Sequence, residues 1–66
     1  MDERGRKIVK DLFEYYNTTP GRMPKETYNK YKEASNSLMV IVDYISGMTD
    51  RYAVEQHNKI FSWLND

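Results

Sequence analysis

An all-α fold is predicted for this chain of 66 residues: a small bundle of three main helices plus a short connecting helix. Three observations carry that expectation. Apolar residues recur at spacings of three and four, the helical period, along most of the sequence. The gaps between those runs hold Pro, Gly, Asn, Ser and Thr, the residue types that end or cap helices. No segment reads as a strand. Residues 1–66 are therefore read as a single helical domain.

The first helix is expected from about Asp2 to Tyr16. Ile8, Val9, Leu12, Phe13 and Tyr16 fall on one face of it. Asp2 and Glu3 suit the positive end of the helix dipole. Gly5 weakens the first turn, so an ordered start after it is anticipated. Asn17 to Pro24, NTTPGRMP, reads as a loop. Pro24 fits the first position of a new helix, where no backbone N–H is required.

A short polar helix follows over Lys25 to Glu33, with Tyr28 and Tyr31 as its apolar pair. Ala34 to Ser37 allows either a fresh helix capped by Ser35, Asn36 or Ser37, or a kinked continuation. Leu38, Ile41, Val42, Ile45 and Met48 then keep the helical period, while Met39, Val40 and Tyr44 lie off that stripe. A helix apolar over more than half its circumference is central in its fold or covered from outside.

Gly47 stands where a helix terminus would use a left-handed residue. Ser46 and Gly47 are also small enough to let another helix approach. Replacing Gly47 with Val is therefore expected to loosen this corner. Thr49 is a good N-cap for the last helix, with Asp50 in its first turn. That helix is placed at about Asp50 to Leu64. Ala53, His57, Ile60, Phe61 and Leu64 form its inner stripe, with Val54 and Trp63 on the flanks.

Size and composition limit what the chain can do. A domain this small buries only ~60% of the surface its unfolded chain exposes. Small domains gain stability from disulfides, a metal or a partner. Cysteine is absent, so a partner surface is the most economical source. Aromatics make up 14% of the chain, six of them Tyr, which suits both a core and an interface.

Ten Lys and Arg balance ten Asp and Glu. That balance argues against a dedicated nucleic-acid binder. No apolar run approaches the ~20 residues that span a bilayer. The N-terminus lacks the apolar region of a secretory signal.

Catalytic chemistry is largely excluded. There is no thiol nucleophile. The one histidine, His57, sits on an inner helical stripe and reads as a core or interface residue. One His and no Cys cannot build a zinc site. Asp11, Glu14, Asp43 and Asp50 lack the loop spacing of a magnesium site. Gly5, Gly21 and Gly47 are too scattered for a phosphate-cradling loop. The Arg4, Arg6, Lys7 and Lys10 cluster is mixed with Asp2, Glu3 and Asp11, as on a solvated helix face. Neither catalytic nor metal-binding residues are assigned.

One stretch is more specific than generic helix. Asp43 to Ala53 reads DYISGMTDRYA. It resembles the C-terminal signature of the deoxyguanosine triphosphate triphosphohydrolase family, in its phosphohydrolase-associated, or HD-associated, region. The family pattern there is close to D-Y-[IL]-[AS]-G-M-T-D-x-Y-A. Leu12-Phe13 followed by an aromatic, Met23-Pro24 and Ile60-Phe61 are also similar to that region. The resemblance covers about Lys7 to Phe61, whereas Lys25 to Ser37 matches nothing distinctive.

The resemblance implies a cytoplasmic, all-helical parent enzyme that cleaves a deoxynucleoside triphosphate to the deoxynucleoside and triphosphate. It implies a divalent metal in the parent's catalytic HD domain, where metal activates a water for attack on the α-phosphorus. Those ligands, two of them His, are not in this chain, and His57 is followed by Asn58 rather than Asp. The chain then reads as an excised domain or a truncated gene product. Its expected partner is the catalytic HD domain or another subunit, with a homo-oligomer as a further possibility.

Asp43, Tyr44, Gly47, Met48, Thr49, Asp50, Arg51 and Tyr52 are the motif residues expected to be structural or interfacial. In the structural reading they fix two helices at a set angle. Asp43 caps or pairs across helices, and Arg51 pairs with Asp50, Glu55 or a partner. In the functional reading Asp50, Arg51 and Tyr52 lie near substrate or a subunit interface. A free-standing helical interaction or regulatory module is the alternative for the whole chain.

Overall fold

The computed structural model describes residues 3–62. Asp2, Trp63 and Leu64, which the sequence assigns to the first and last helices, lie outside them. Among the described residues there are four α-helices and one 3-10 turn, and no strand.

Helix α1 spans Glu3–Thr18. Gly5 lies inside its first turns rather than delaying its start. Ile8, Leu12 and Tyr16, four residues apart, are its buried line. The helix ends where Thr19 folds back. Its amide and its hydroxyl both donate to the Tyr15 carbonyl, at 2.9 and 2.7 Å. Pro20 has no N–H to continue the ladder, and a 3-10 turn, Pro20–Arg22, reverses the chain. This turn delivers Met23 into the core, where it is 4% exposed.

Helix α2, Lys25–Glu33, contributes no fully buried residue. Its Tyr28 and Tyr31 rings stack at 6.3 Å between centroids. The Lys32 ammonium lies 5.0 Å from the Tyr28 centroid, a cation–π distance. Ala34 is extended (φ −74°, ψ 142°), so the helix stops there rather than continuing through a kink. Helix α3, Ser37–Ser46, is a separate helix. The Ser37 hydroxyl donates to the Tyr31 carbonyl at 3.2 Å and ties its start to α2.

Gly47 departs from expectation. Its φ of −80° and ψ of −7° are right-handed, and no described glycine has positive φ. A Cβ built on Gly47 would meet only the carbonyl oxygens of Asp43 and Tyr44, at 3.5 and 3.6 Å. These are ordinary contacts within the preceding turn. Among the described residues no second helix approaches Gly47 closely, and the left-handed terminus expected there is not formed.

Helix α4, Asp50–Phe61, begins as the sequence requires. Thr49 is extended, and its Oγ1 accepts the Tyr52 amide at 3.1 Å. Its carbonyl accepts the Ala53 amide at 2.9 Å.

Helix α1 is the hub, packing against α3 and α4, while α2 packs against α3. The core is Ile8, Leu12, Tyr16, Met23, Ile41 and Ile45. No residue of α4 is fully buried; Ala53, Val54 and Ile60 only lean on the core. The assembly measures 35 × 26 × 16 Å. The main neighbours of α3 are α1 and α2, which leaves part of its surface open.

The predicted stripe of α3 is accordingly only half used. Ile41 and Ile45 are buried, but Leu38 is 50% exposed, Val42 39% and the off-stripe Met39 49%. The period identified the apolar face correctly, and α1 and α2 leave part of it uncovered.

Candidate functional site

The motif Asp43 to Ala53 spans the last turn of α3, the connection and the first turn of α4. Its residues separate into three groups. Asp43, Tyr44, Gly47, Met48, Thr49 and Tyr52 line one open groove of about 590 Å³, which Thr27, Lys30 and Val40 complete. Asp50 turns the other way, into a cleft shared with Arg4 and Ile8 of α1. Arg51 points to solvent and pairs one turn along with Glu55, Nε to Oε1 at 3.3 Å. The Asp43 carboxylate, expected to cap or pair, makes no hydrogen bond or ion pair among the described residues. What Asp43 supplies is its carbonyl, which accepts the Gly47 amide at 3.1 Å.

Tyrosines form the inner wall of the groove. The Tyr44 ring meets Tyr16 edge-on at 5.4 Å, and Tyr16 meets Tyr15 at 5.2 Å in the same manner. Burial, followed by the neighbouring Tyr16 and Tyr52 phenols, pushes the Tyr44 phenol well above its ordinary range. Burial also raises Tyr16. A phenol held neutral is a hydrogen-bonding and packing group rather than a base near neutral pH. The groove thus offers hydroxyls, one ammonium and one carboxylate on apolar walls, a set suited to contact rather than bond cleavage.

His57 is the clearest case of a residue whose partner the sequence could not name. Its Nε2 lies 2.7 Å from Asp11 Oδ2. An ionised carboxylate only accepts, so the imidazole N–H donates. This bond holds Asp11 below the usual carboxylate range, despite the opposing effect of partial burial, and Lys7 adds to it at 3.3 Å. The imidazole also tilts against Phe61, centroid to centroid 4.7 Å. His57 is therefore the clasp between α4 and α1.

That role bears on the metal implied by the resemblance. Among the described residues no three His, Asp or Glu side chains gather as metal ligands, and the one imidazole is already engaged with Asp11. The donor set of the described residues does not fit the metal. Among the described residues no helix is long and apolar enough to cross a membrane.

Sequence periodicity placed the motif on a helix–turn–helix corner but did not reveal Thr27 and Lys30 as its neighbours. Those residues come from α2, the segment with no recognisable pattern. Nor does any local signal pair Asp11 with a residue 46 positions away.

Comparison with known proteins agrees with the motif. A deoxyguanosinetriphosphate triphosphohydrolase-like protein of Shewanella sediminis is 39% identical over 67 aligned residues, covering 94% of this chain and 15% of its own length. The protein of the same description from Nitrosomonas europaea is 36% identical, with 94% and 16% covered. That from Leptospira interrogans is 43% identical, with 80% and 14% covered. The chain thus spans about 15% of the length of the curated relatives it matches. No solved structure matches it. The phosphohydrolase-associated domain matches residues 1–59, so the match takes in the α1 hub, the tyrosine-lined groove and most of α4. The helical layer and its motif accord with that match, and the chain belongs to the phosphohydrolase-associated domain family.

Proposed function

We propose that this chain is the C-terminal structural and assembly module of a deoxyguanosine triphosphate triphosphohydrolase-like protein, and that it is not catalytic by itself. The observation that carries this reading is the exposed apolar line of α3, Leu38, Met39 and Val42. Three large apolar side chains, each more than a third exposed on one helix, are a surface awaiting a cover. The relatives, over six times longer by coverage, have ample chain to provide it. Triphosphate release from dGTP, the divalent metal and a cytoplasmic setting belong to the parent protein in this reading. The chain contributes the packing surface.

The test has two parts. The purified chain, given dGTP with Mg²⁺ or Mn²⁺, is expected to release no triphosphate. Activity that co-purifies with the chain and is lost in a Tyr44→Ala or Asp50→Ala variant would overturn the proposal. Light scattering and circular dichroism over a dilution series then read the uncovered surface. Reversible association, or helicity that falls on dilution, is expected. A monomer of unchanged helicity that also resists binding of an apolar dye would count against an orphaned interface.

A further inference from the structure

The uncovered line of α3 is one wall of a furrow, and the opposite wall is α1. Val9 and Phe13 of α1 face Val42 and Ile45 of α3 across a cleft of about 350 Å³. Arg6 and Lys10, one turn apart on α1, stand at its edge. Ser46 is the remaining described lining residue, and among the described residues no carboxylate lines the furrow. This one-sided arrangement is distinct from the neighbouring charges of α1. Lys7 is paired with Asp11, whereas Arg6 and Lys10 make no ion pair among the described residues. The basic cluster that reads in sequence as a mixed, solvated helix face thus divides. One part closes on the α1–α4 clasp, and the other borders an apolar cleft.

We infer that the α1–α3 furrow is a docking site for an amphipathic helix whose apolar face fills the cleft and whose flanking edge carries acidic residues opposite Arg6 and Lys10. The floor lies between the packed helices α1 and α3, the kind of seat that an amphipathic helix takes through anchors one turn apart. Leu38 and Met39 extend the apolar track along α3 beyond the cleft. These two cations, unpaired among the described residues, specify the sign of the partner's edge, because complementary rim charges set register and exclude wrong partners. They also argue against a second copy of this chain as the specific occupant, whatever non-specific association the uncovered face drives at high concentration. A two-fold contact opposes a patch to itself, and here that would set Arg6 and Lys10 against the same cations with no carboxylate from the furrow between them. The inference rests on the reading of the chain as a module covered by a partner. It adds which face is covered and by what chemistry.

Two stapled amphipathic helices serve as probes, identical in their leucine face and bearing either glutamate or lysine along the edge. They are titrated into the isotopically labelled 66-residue chain and followed by amide and methyl shifts. The glutamate-edged helix is expected to shift Val9, Phe13, Val42 and Ile45 and to bind roughly tenfold tighter than the lysine-edged one. Arg6→Glu with Lys10→Glu should reverse that preference while leaving helicity unchanged, since both side chains are exposed. Val42→Asp should abolish binding of both probes.

Equal binding of the two helices, or shifts confined to the Tyr44–Tyr52 groove, would overturn the furrow assignment and leave the module reading standing. Failure of both helices to bind any face, by a chain that is a stable monomer, would count against both. Binding to phosphatidylglycerol vesicles with no response to either helix would replace the helix partner with an anionic surface. Self-association that survives Val42→Asp would put the covered face elsewhere.

Discussion

His57 Nε2 lies 2.7 Å from Asp11 Oδ2, joining the last helix to the first across 46 positions of sequence. The two side chains are 20% and 22% exposed, so the bond is partly shielded from water. It fixes α4, which has no fully buried residue of its own, to a defined point on α1. The Phe61 ring beside the imidazole keeps it from swinging away.

The first prediction concerns pH. The hydrogen bond from His57 depresses Asp11 below its ordinary value of 3.8. A carboxylate depressed in the folded state contributes stability that is present above its unfolded value and lost as pH falls through its folded one. Asp11→Asn should therefore flatten the acid limb of the stability curve below about pH 4. Near neutral pH it should cost about 1 kcal/mol, a charge-assisted bond discounted for partial exposure. His57→Ala should cost somewhat more, because the contact with Phe61 goes too. Urea denaturation between pH 3 and 7 measures both, and an Asp11→Asn curve parallel to wild type throughout would disprove the clasp.

A second prediction separates core from uncovered face along a single helix. Ile41 and Leu12 are both 0% exposed. Truncating either to Ala should cost about 3 kcal/mol. A domain of this size holds only about 3–10 kcal/mol, so either variant should be partly unfolded at room temperature. Leu38→Ala and Val42→Ala, on the neighbouring flank of α3, should stay within about 0.5 kcal/mol in dilute solution. Thermal melts followed by circular dichroism decide this, and a large loss at Leu38 in a demonstrated monomer would mean that the flank is not free.

The corner between α3 and α4 supplies the third. Thr49→Ala removes the acceptor for the Tyr52 amide and should cost about 1 kcal/mol, with Thr49→Ser retaining most of it. Gly47→Ala should do the opposite. Its backbone is one that alanine readily adopts, and the added carbon meets only carbonyls at 3.5 and 3.6 Å. A gain of about 0.4–1 kcal/mol is expected from the narrower unfolded ensemble. If Gly47→Ala were to lower the melting temperature, the right-handed corner would be the wrong description.

The pattern of success and failure in reading the sequence has a physical basis. Thr49 was legible because a cap is a local event, complete within four residues. The line Ile8, Leu12, Tyr16 was legible because one helix displays its own period. Gly47 misled because glycine permits a left-handed terminus without requiring one, and here the chain leaves α3 through an ordinary turn. Leu38 and Val42 left two readings open, a central helix or one covered from outside. Periodicity identifies the apolar face but not whether the fold has a layer left to lay on it. Asp11 and His57 could each be seen singly, the one as a carboxylate without a site and the other as an inner-face histidine. Only the packing of α4 on α1 makes them partners. The groove shows the same division. Six of its lining residues lie in the recognisable motif, while Thr27 and Lys30 reach it from a helix whose sequence carries no such mark.

The one-sided seating of α4 also bears on how the chain comes apart. The buried core comes from α1, α3 and Met23, and α4 only leans on it through Ala53, Val54 and Ile60, so α4 is expected to lift off first, as a unit contiguous in sequence. Its amides should exchange with solvent ahead of those of α1 and α3. The melting of this small protein would then begin as an undocking rather than a collapse of the interior, and anything that grips α4 from outside would raise the stability of a helix the core itself barely holds.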